Sequence, residues 1–279
     1  MSGGLFFGTV GKIVSFYGAP VRCSDIYSGA FAAYYDTLPA SEDEIEAYTK
    51  EAFSCGRDVL ELCCGNGRLT AEFAARGFYV DGVDLSADML ARLEKRKSRL
   101  SPSAARRIRI KQENVLDLDE TKTYDFILLP ATTICLFSDD ENQTVRLLEK
   151  VSRLLKPEGR FMFDMRVYPD GTGTEFSPVQ VDTMTLDGEK AMVILQEQLD
   201  YRSGYAVGNF YLQKTDGAGR MEQWAAATRK KIVPEQEMER RIGQSGLQIL
   251  DKTRARIWDS SVVYYCLGKQ KCQTEEDGI

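Results

Sequence analysis

The sequence contains no histidine. This absence excludes the commonest general base of enzymes, the commonest zinc ligand, and every catalytic pair in which histidine activates a serine or a cysteine. The acidic residues also form no cluster with the spacing of metal ligands. We therefore expect any activity of this chain to be independent of metal ions.

An excess of positive charge is missing as well. Lysine and arginine total 36 against 42 acidic residues, which gives a net charge of -6. Such a chain has no general attraction for nucleic acid, and we expect no nucleic-acid partner. No apolar run is long enough to span a bilayer, and glycines and Lys12 interrupt the apolar opening MSGGLFFGTVGKIVSFYGAP. We therefore expect neither a signal peptide nor a membrane partner.

The cysteines lack the pattern of a disulfide framework or a metal site. There are seven of them, an odd number, with no C-x-x-C spacing, and most lie within apolar segments. This usage is typical of reduced thiols, and it predicts a cytoplasmic location.

Alternating strand and helix patterns begin at residue 57. RDVLELCC, FYVDGVDL, RRIRIKQENV, YDFILLPATTICLF and GRFMFDMRV have the composition of buried strands, and amphipathic helix patterns lie between most of them. This order predicts an α/β fold, a Rossmann-like, seven-stranded, mainly parallel sheet with helices on both faces. LQILDKTRARIW and SSVVYYCLGKQ are expected to close the sheet as an antiparallel pair.

After Pro169 the sequence pattern changes to short β-rich runs separated by DG, SG and DGAG turns. These runs predict an antiparallel β-meander inserted over the active site. The predicted organisation is an N-terminal arm and lid at 1–50, an α/β core at 51–169, the β insertion at 170–231, a C-terminal helix with closing strands at 232–270, and a frayed tail at 271–279.

The stretch DVLELCCGNGRLT, residues 58–70, joins the first core strand to a helix through a turn with two glycines. It is compatible with a redox or metal site, a nucleotide-binding turn, or a tight bend. A bond between adjacent cysteines would close a strained ring, which disfavours a redox pair. Thr70 stands where a dinucleotide-binding G-x-G-x-x-G turn has its third glycine, which disfavours an NAD-dependent oxidoreductase. Glu61 suits a ligand that carries a positive charge or hydroxyls.

The segment E-L-C-C-G-N-G resembles the first motif of S-adenosylmethionine (SAM)-dependent methyltransferases, E/D-x-G-x-G-x-G, with Cys63 in place of the first glycine. Asp84 ends the second strand pattern, where this superfamily places the acid that holds the ribose hydroxyls. The resemblance implies SAM as cofactor and S-adenosyl-L-homocysteine (SAH) as product. The implied cofactor-binding residues are Tyr27, Glu61, Cys63, Gly65, Gly67, Arg68, Asp84, Leu85, Met89, Asn114, Val115 and Pro130.

Stretches between residues 21 and 267, among them LLKPEGRFMFDM and TRKKIVPEQEMERRIGQSGLQIL, also resemble natural-product methyltransferases that N-methylate glycopeptide antibiotics. In such enzymes the segment before the first core strand folds over the cofactor. Tyr27, Tyr34 and Tyr35 are its aromatic candidates here, since an aromatic face attracts a cation. PATTICLF, residues 130–137, replaces the D/N-P-P-Y/F signature of enzymes acting on nucleic-acid bases. The resemblance implies Tyr27, Tyr35 and Thr132 as catalytic residues.

We expect the β insertion to cover the pocket that binds the methyl acceptor. The candidate substrate-binding residues are Thr133, Arg166, Tyr211, Trp224 and Arg229. An amine acceptor needs only to be neutral and in line with the methyl carbon, whereas O-methylation of a phenol often uses a histidine base. We therefore predict methyl transfer to an amine nitrogen of a small-molecule or peptide natural product. The alternatives are O- or C-methylation of a small metabolite and a catalytically silent SAM-binding protein.

The first twenty residues are apolar and punctuated by glycines. One hypothesis is that this N-terminal arm pairs with another subunit and forms a homodimer.

Overall fold

The computed structural model describes residues 5–38, 40–119, 121–257 and 260–270. The predicted tail at 271–279 lies outside them. Within these ranges the helices are α1 (Gly8–Tyr17), α2 (Gly29–Tyr35), α3 (Glu42–Phe53), α4 (Arg68–Ala75), α5 (Ala87–Lys97), α6 (Pro102–Ala105), α7 (Glu141–Leu154) and α8 (Glu235–Gly243), with a 3-10 helix at Thr133–Phe137. The strands are β1 (Val21–Cys23), β2 (Asp58–Leu62), β3 (Tyr79–Asp84), β4 (Ile108–Gln112), β5 (Tyr124–Leu129), β6 (Leu155–Arg166), β7 (Thr174–Phe176), β8 (Gln180–Leu186), β9 (Glu189–Asp200), β10 (Tyr205–Thr215), β11 (Met221–Lys231), β12 (Leu247–Ile257) and β13 (Ser260–Lys269).

Seven strands form the main sheet, in the order β12-β13-β6-β5-β2-β3-β4. The five strands from β6 to β4 are parallel, and β13 pairs antiparallel with both β6 and β12. One apolar cluster holds residues of α7 and α8, and another holds residues of α3, α4 and α5. Helices therefore cover both faces of the sheet, and the predicted fold class is confirmed.

Polar side chains define where the core helices start. Ser86 precedes α5, and its hydroxyl accepts a hydrogen bond from the Met89 amide at 3.2 Å. Asp140 likewise accepts from the Asn142 amide at 2.9 Å before α7. These caps satisfy backbone donors that have no partner within the helix. They place the start of α5 at the carboxyl end of β3, beside Asp84.

The second sheet has the order β1-β11-β10-β9-β7, and β8 also pairs with β9. Its inner face packs on α2, where Phe31 contacts a cluster that includes Leu212. Its outer face packs on α1, where Val10 joins a cluster that includes Tyr211. β1 runs parallel to β11 with Val21 opposite Gln223, so a piece of the N-terminal arm completes this sheet.

The sequence prediction for the fourth core strand was too long. YDFILLPATTICLF was assigned as one strand, but β5 ends at Leu129. Pro130 follows, and Ala131 and Thr132 then adopt positive φ angles of 63° and 54° before the 3-10 helix begins. Proline donates no ladder hydrogen bond and two left-handed residues reverse the chain, so the strand ends there. None of the helices in the described ranges combines the length and apolarity that crossing a membrane requires.

Candidate active site

A cavity of about 590 Å³ opens at the carboxyl ends of β2, β3, β4 and β5. This is the edge at which parallel α/β sheets bind their ligands, and the volume is typical of a cofactor site. Five acidic side chains line the cavity, those of Asp25, Glu61, Asp84, Asp88 and Glu113. Among the described residues, Arg68 is the one basic side chain in the lining.

The turn after β2 approaches the cavity with its backbone. Gly65 has a φ of 54°, and a Cβ added there would meet only the Met89 Cε within 4 Å, at 3.1 Å. Cys63 has the same φ of 54°, in the position where the motif has a glycine. Side-chain-bearing residues rarely adopt this conformation. Burial raises the pKa of the Cys63 thiol above its usual value, which disfavours the reactive thiolate and with it the redox interpretation.

Asp84 is held by the turns on both sides of it. Its Oδ2 accepts from the Gly65 amide at 2.8 Å, and its Oδ1 accepts from the Ser86 amide at 2.8 Å. Burial raises the pKa of this carboxyl, and the backbone donors act in the opposite direction. Each oxygen keeps acceptor capacity toward the cavity. The carboxylate therefore fits a ligand that presents a pair of hydroxyls, as the ribose of SAM does.

Glu61 is 2% exposed, at the end of β2. The Thr70 hydroxyl donates to its Oε2. Burial raises the pKa of Glu61 to about 8. Arg68 faces the same cavity, and both of its terminal nitrogens donate to the buried carboxylate of Glu44 on α3, Nη2 to Oε1 at 2.7 Å. Glu44 neutralises this guanidinium, and Lys111 pairs with Glu113 at 2.8 Å. With Glu61 largely protonated at neutral pH, the negative charge of the cavity comes from Asp25, Asp84 and Asp88.

The N-terminal arm covers the cavity. The rings of Tyr27 and Tyr35 both line it, with their centroids 5.5 Å apart. Burial raises the pKa of both phenols, so their hydroxyls stay neutral. Ser86 Oγ donates to the Tyr27 carbonyl at 2.6 Å, and the Gly29 amide donates to Asp88 Oδ2 at 2.7 Å. Tyr34, in contrast, is buried against the second sheet and is absent from the lining.

The sequence-predicted cofactor residues come together at this cavity, with one exception. The lining includes Tyr27, Glu61, Cys63, Gly65, Arg68, Asp84, Leu85, Met89, Asn114, Val115 and Pro130. Gly67 packs elsewhere, because a Cβ added to it would lie 2.4 Å from Leu93 Cγ. This glycine permits close packing of α4 against α5. Gly67 is absent from the cavity lining, and its predicted role in binding the cofactor stays a prediction.

The predicted catalytic and substrate residues are scattered. Thr133 lines the cavity, but Thr132 does not, and the Thr132 hydroxyl accepts from Lys230 Nζ at 2.7 Å. Arg166 pairs with Glu197 at 2.6 Å instead of facing the cavity. Trp224 is half-buried on the inner face of the second sheet, in the cluster that includes Tyr27 and Tyr35.

Tyr211 and Arg229 lie on the outer face of the second sheet, away from the cavity. Tyr211 is 2% exposed against α1, and the Arg229 guanidinium stacks 3.5 Å from the Tyr205 ring centroid. Their assignment to the substrate site is a correction. Successive strand residues point to opposite faces, and the sequence alone did not establish which parity faces the cavity.

Several cavity residues were missed. Leu136 and Phe137 line the cavity from the 3-10 helix, a segment assigned to a strand. Ser86 was assigned only as a helix cap, although its hydroxyl also holds the arm. Asp88, in the first turn of α5, carried no separate signal. Within the described ranges, no group of three or more histidine, cysteine or acidic side chains is arranged to hold a metal ion.

Residues 59–159 match the family described as a methyltransferase domain. We refer to this stretch, which is less than half of the chain, as the methyltransferase domain because of that similarity. Residues 59–159 contain the turn, Asp84 and every residue of the cavity lining that lies outside the N-terminal arm. The predicted enzyme class and its SAM cofactor are confirmed at the level of the domain. YqeM of Bacillus subtilis (strain 168), whose name as a methyltransferase is provisional, is 31% identical over 160 residues, which are 53% of this chain and 61% of that protein. The chain thus matches less than two thirds of the length of the curated relatives.

Solved structures share the fold well beyond the methyltransferase domain. The CcbJ methyltransferase from Streptomyces caelestis has a TM-score of 0.69 at 20% identity, covering 88% of this chain and 99% of its own. The glycopeptide N-methyltransferase MtfA, solved with SAH, has a TM-score of 0.64 at 17% identity, covering 96% of this chain and 100% of its own. The predicted resemblance to natural-product methyltransferases is confirmed in the fold. At these identities the likeness does not extend to a substrate.

Proposed function

We propose that this chain transfers a methyl group from SAM to an amine nitrogen of a small-molecule or peptide natural product. The surplus of carboxylates around the cavity is the observation that favours an amine. Asp25, Asp84 and Asp88 line it as carboxylates, while the guanidinium of Arg68 is committed to Glu44. A cavity of this charge attracts cations such as protonated amines. That a solved relative of the same fold is named as a glycopeptide N-methyltransferase supports the same choice.

The residues of the cavity fit the cofactor. Asp84 would accept from the ribose hydroxyls, Asn114 and Val115 would border the adenine, and the backbone at Gly65 would allow close approach. SAM supplies a methyl group on a sulfonium that is already a good leaving group. The protein therefore has to orient the acceptor and exclude water.

The residues of the arm suit this task. The neutral phenols of Tyr27 and Tyr35 offer hydrogen-bond acceptors for an amine N–H and ring faces that attract positive charge. An acceptor amine must lose its proton before it attacks. Solvent or one of the cavity carboxylates is sufficient for that step, so the absence of histidine is no obstacle.

The first test is isothermal titration of the purified chain with SAH and, in parallel, with NADH. We expect SAH to bind in the micromolar range and NADH not to bind; the reverse result refutes the cofactor. Asp84→Ala should weaken SAH binding by roughly a hundredfold, because it removes charge-assisted hydrogen bonds. Asp117→Ala is the matched control, since Asp117 is exposed and absent from the cavity lining.

The second test identifies the acceptor atom. The chain and SAM are incubated with an amino sugar, a short peptide with a free N-terminal amine, and catechol, and the products are analysed by mass spectrometry and NMR. We expect the new methyl group on nitrogen. Methylation of catechol alone would instead establish an O-methyltransferase.

A further inference from the structure

The second sheet contacts the methyltransferase domain at Thr132, whose neighbours in the chain line the cavity. Lys230 lies on β11, and its Nζ donates to Thr132 Oγ1 at 2.7 Å. The Thr132 amide donates to Asp164 Oδ2 on β6 at 2.8 Å. Thr132 is therefore held by its side chain from the second sheet and by its backbone from the main sheet.

The turn that contains Thr132 shapes the cavity. Ala131 and Thr132 have φ angles of 63° and 54°, a conformation that residues with a Cβ rarely adopt without support. Pro130, Ala131 and Thr133 line the cavity on either side of Thr132. Contacts that hold Thr132 in place therefore fix the position of this wall.

The acceptor of the Thr132 amide is itself rigidly placed. Asp164 is 0% exposed, and its Oδ1 accepts from the Tyr48 hydroxyl at 2.6 Å. Tyr264 is the strand neighbour of Asp164 on β13, and its ring packs edge-on against Tyr48 at 5.5 Å. Asp164 thus provides a fixed anchor for the Thr132 amide, and Lys230 provides the second contact.

The charges around Lys230 favour a role in holding Thr132 over direct binding of an anionic acceptor. The charged side chains that act on it electrostatically are Asp164, Arg166 and Glu197. Arg166 Nη1 pairs with Glu197 Oε1 at 2.6 Å. The two cations and the two carboxylates offset one another, so Lys230 carries no surplus charge for a ligand.

We propose that Lys230 is a positioning residue for methyl transfer, which acts by holding the Thr132 hydroxyl and thereby the left-handed turn at residues 131–132 that forms the acceptor side of the cavity. The inference rests on the proposed function, because it assigns the turn to the acceptor. Lys230 thereby gives the second sheet a part in positioning the acceptor for methyl transfer.

Amide hydrogen exchange measured by NMR on the SAH-bound chain tests the holding contact without any acceptor. In Lys230→Met the Thr132 amide should exchange roughly tenfold faster than in the wild type, as expected from the loss of one supporting hydrogen bond. Lys231→Met is the matched control, because its Nζ lies over the Tyr205 ring, 4.4 Å from the centroid, and makes no contact with Thr132. Unchanged exchange in Lys230→Met would overturn the proposal.

Kinetics test the consequence for the reaction, with the acceptor identified above. Lys230→Met and Thr132→Val should each lower kcat about tenfold to a hundredfold, with SAH affinity within about twofold of the wild type, because a misplaced wall misaligns the acceptor. The double variant should be no slower than either single variant, and Thr132→Ser, which keeps the hydroxyl, should keep the rate. Additive losses, or a loss in Lys230→Met without one in Thr132→Val, would overturn the proposal.

The two levels of inference can fail separately. A wild-type chain that does not bind SAH refutes the proposed function. In that case the exchange experiment is repeated on the chain alone, and its result decides whether Lys230 holds the turn.

Discussion

Cys63 has a side chain where the motif has a glycine, and its φ of 54° strains the backbone. Glycine relieves this strain, whereas valine adds a branched Cβ that suits the left-handed region even less. We expect Cys63→Val to have a free energy of unfolding about 1 to 3 kcal/mol below that of Cys63→Gly. Urea denaturation of the two variants measures the difference. Equal stabilities would mean that residue 63 is not left-handed.

Glu61 makes stability depend on pH near neutrality. Its pKa is raised by burial to about 8 in the folded chain, well above the usual value, so the folded state holds the proton more tightly than the unfolded chain. The stabilisation is complete below about pH 4.5 and is lost as the pH rises toward 8. Asp164, with a pKa raised by burial to about 6, adds a loss of the same sign at lower pH.

We expect the melting temperature of the ligand-free chain to fall between pH 5 and pH 8, and Glu61→Gln to flatten this fall. The amide is neutral and can still accept from Thr70. Surface acids with lowered pKa, such as Glu237 at about 2, lose their contribution only in stronger acid and do not obscure this range. A steeper fall in Glu61→Gln would contradict the assignment.

Much of the cofactor side of the cavity was predictable at the level of single residues. Asp84, Gly65 and Glu61 lie at fixed positions around one strand-turn-helix unit, so their relation follows from local geometry. Ser86 and Asp88 contact the arm across 59 residues of chain, and no local pattern specifies such a pair. The contact of Thr132 with Lys230 was unpredictable for the same reason, because the two residues are 98 positions apart.

At the level of elements, the arm is fastened to α5 at both ends of α2. Gly29 at the start of α2 donates to Asp88, and Asp36 at its end accepts from Arg96 Nη2 at 2.9 Å. Because the arm covers the cavity, we expect these contacts to open before a bound cofactor leaves. We expect the double variant Asp88→Asn/Arg96→Met to release SAH roughly tenfold faster than the wild type, as the loss of charge-assisted hydrogen bonds implies.

Stopped-flow fluorescence, with SAH diluted or displaced, measures this release rate. Arg76→Met is the matched control, because Arg76, directly after α4, forms an exposed pair with Glu72. An unchanged release rate in the double variant would show that the arm opens without breaking these contacts.

The elements themselves were mostly predictable, since strands such as β2 and helices such as α5 have clear periodicity and caps. The end of β5 was not, because Ile134 and Cys135 continue an apolar pattern that suits a buried strand and a buried 3-10 helix equally. The faces of β10 and β11 were ambiguous for a related reason: both faces of the second sheet are covered, one by α1 and one by α2. The alternation of side chains along these strands then does not show which face points toward the cavity.

At the level of the whole molecule, the order of strands and helices specified a parallel sheet with an added antiparallel sheet, but not how the N-terminal arm joins them. β1 pairs with β11 more than 200 residues later in the chain, with Arg22 opposite Trp224. Such pairing depends on the surface left uncovered by the rest of the fold. The arm therefore contributes to both sheets, through β1 and α2 on the second sheet and through α3 on the main sheet.

The homodimer hypothesis assigned the apolar opening of the chain to a second copy, whereas α1 packs on the chain's own second sheet. Val10 is 0% exposed in that contact, and Phe16 on the same helix is 83% exposed. Val10→Ser should lower the free energy of unfolding by about 2 kcal/mol, because it exchanges a buried apolar side chain for a polar one. Phe16→Ser should change it by less than about 0.5 kcal/mol. Light scattering of both variants decides the assembly: if the arm pairs with a second copy, Phe16→Ser will lower both the molar mass and the stability, and if α1 serves only its own chain, the mass will equal that of the wild type.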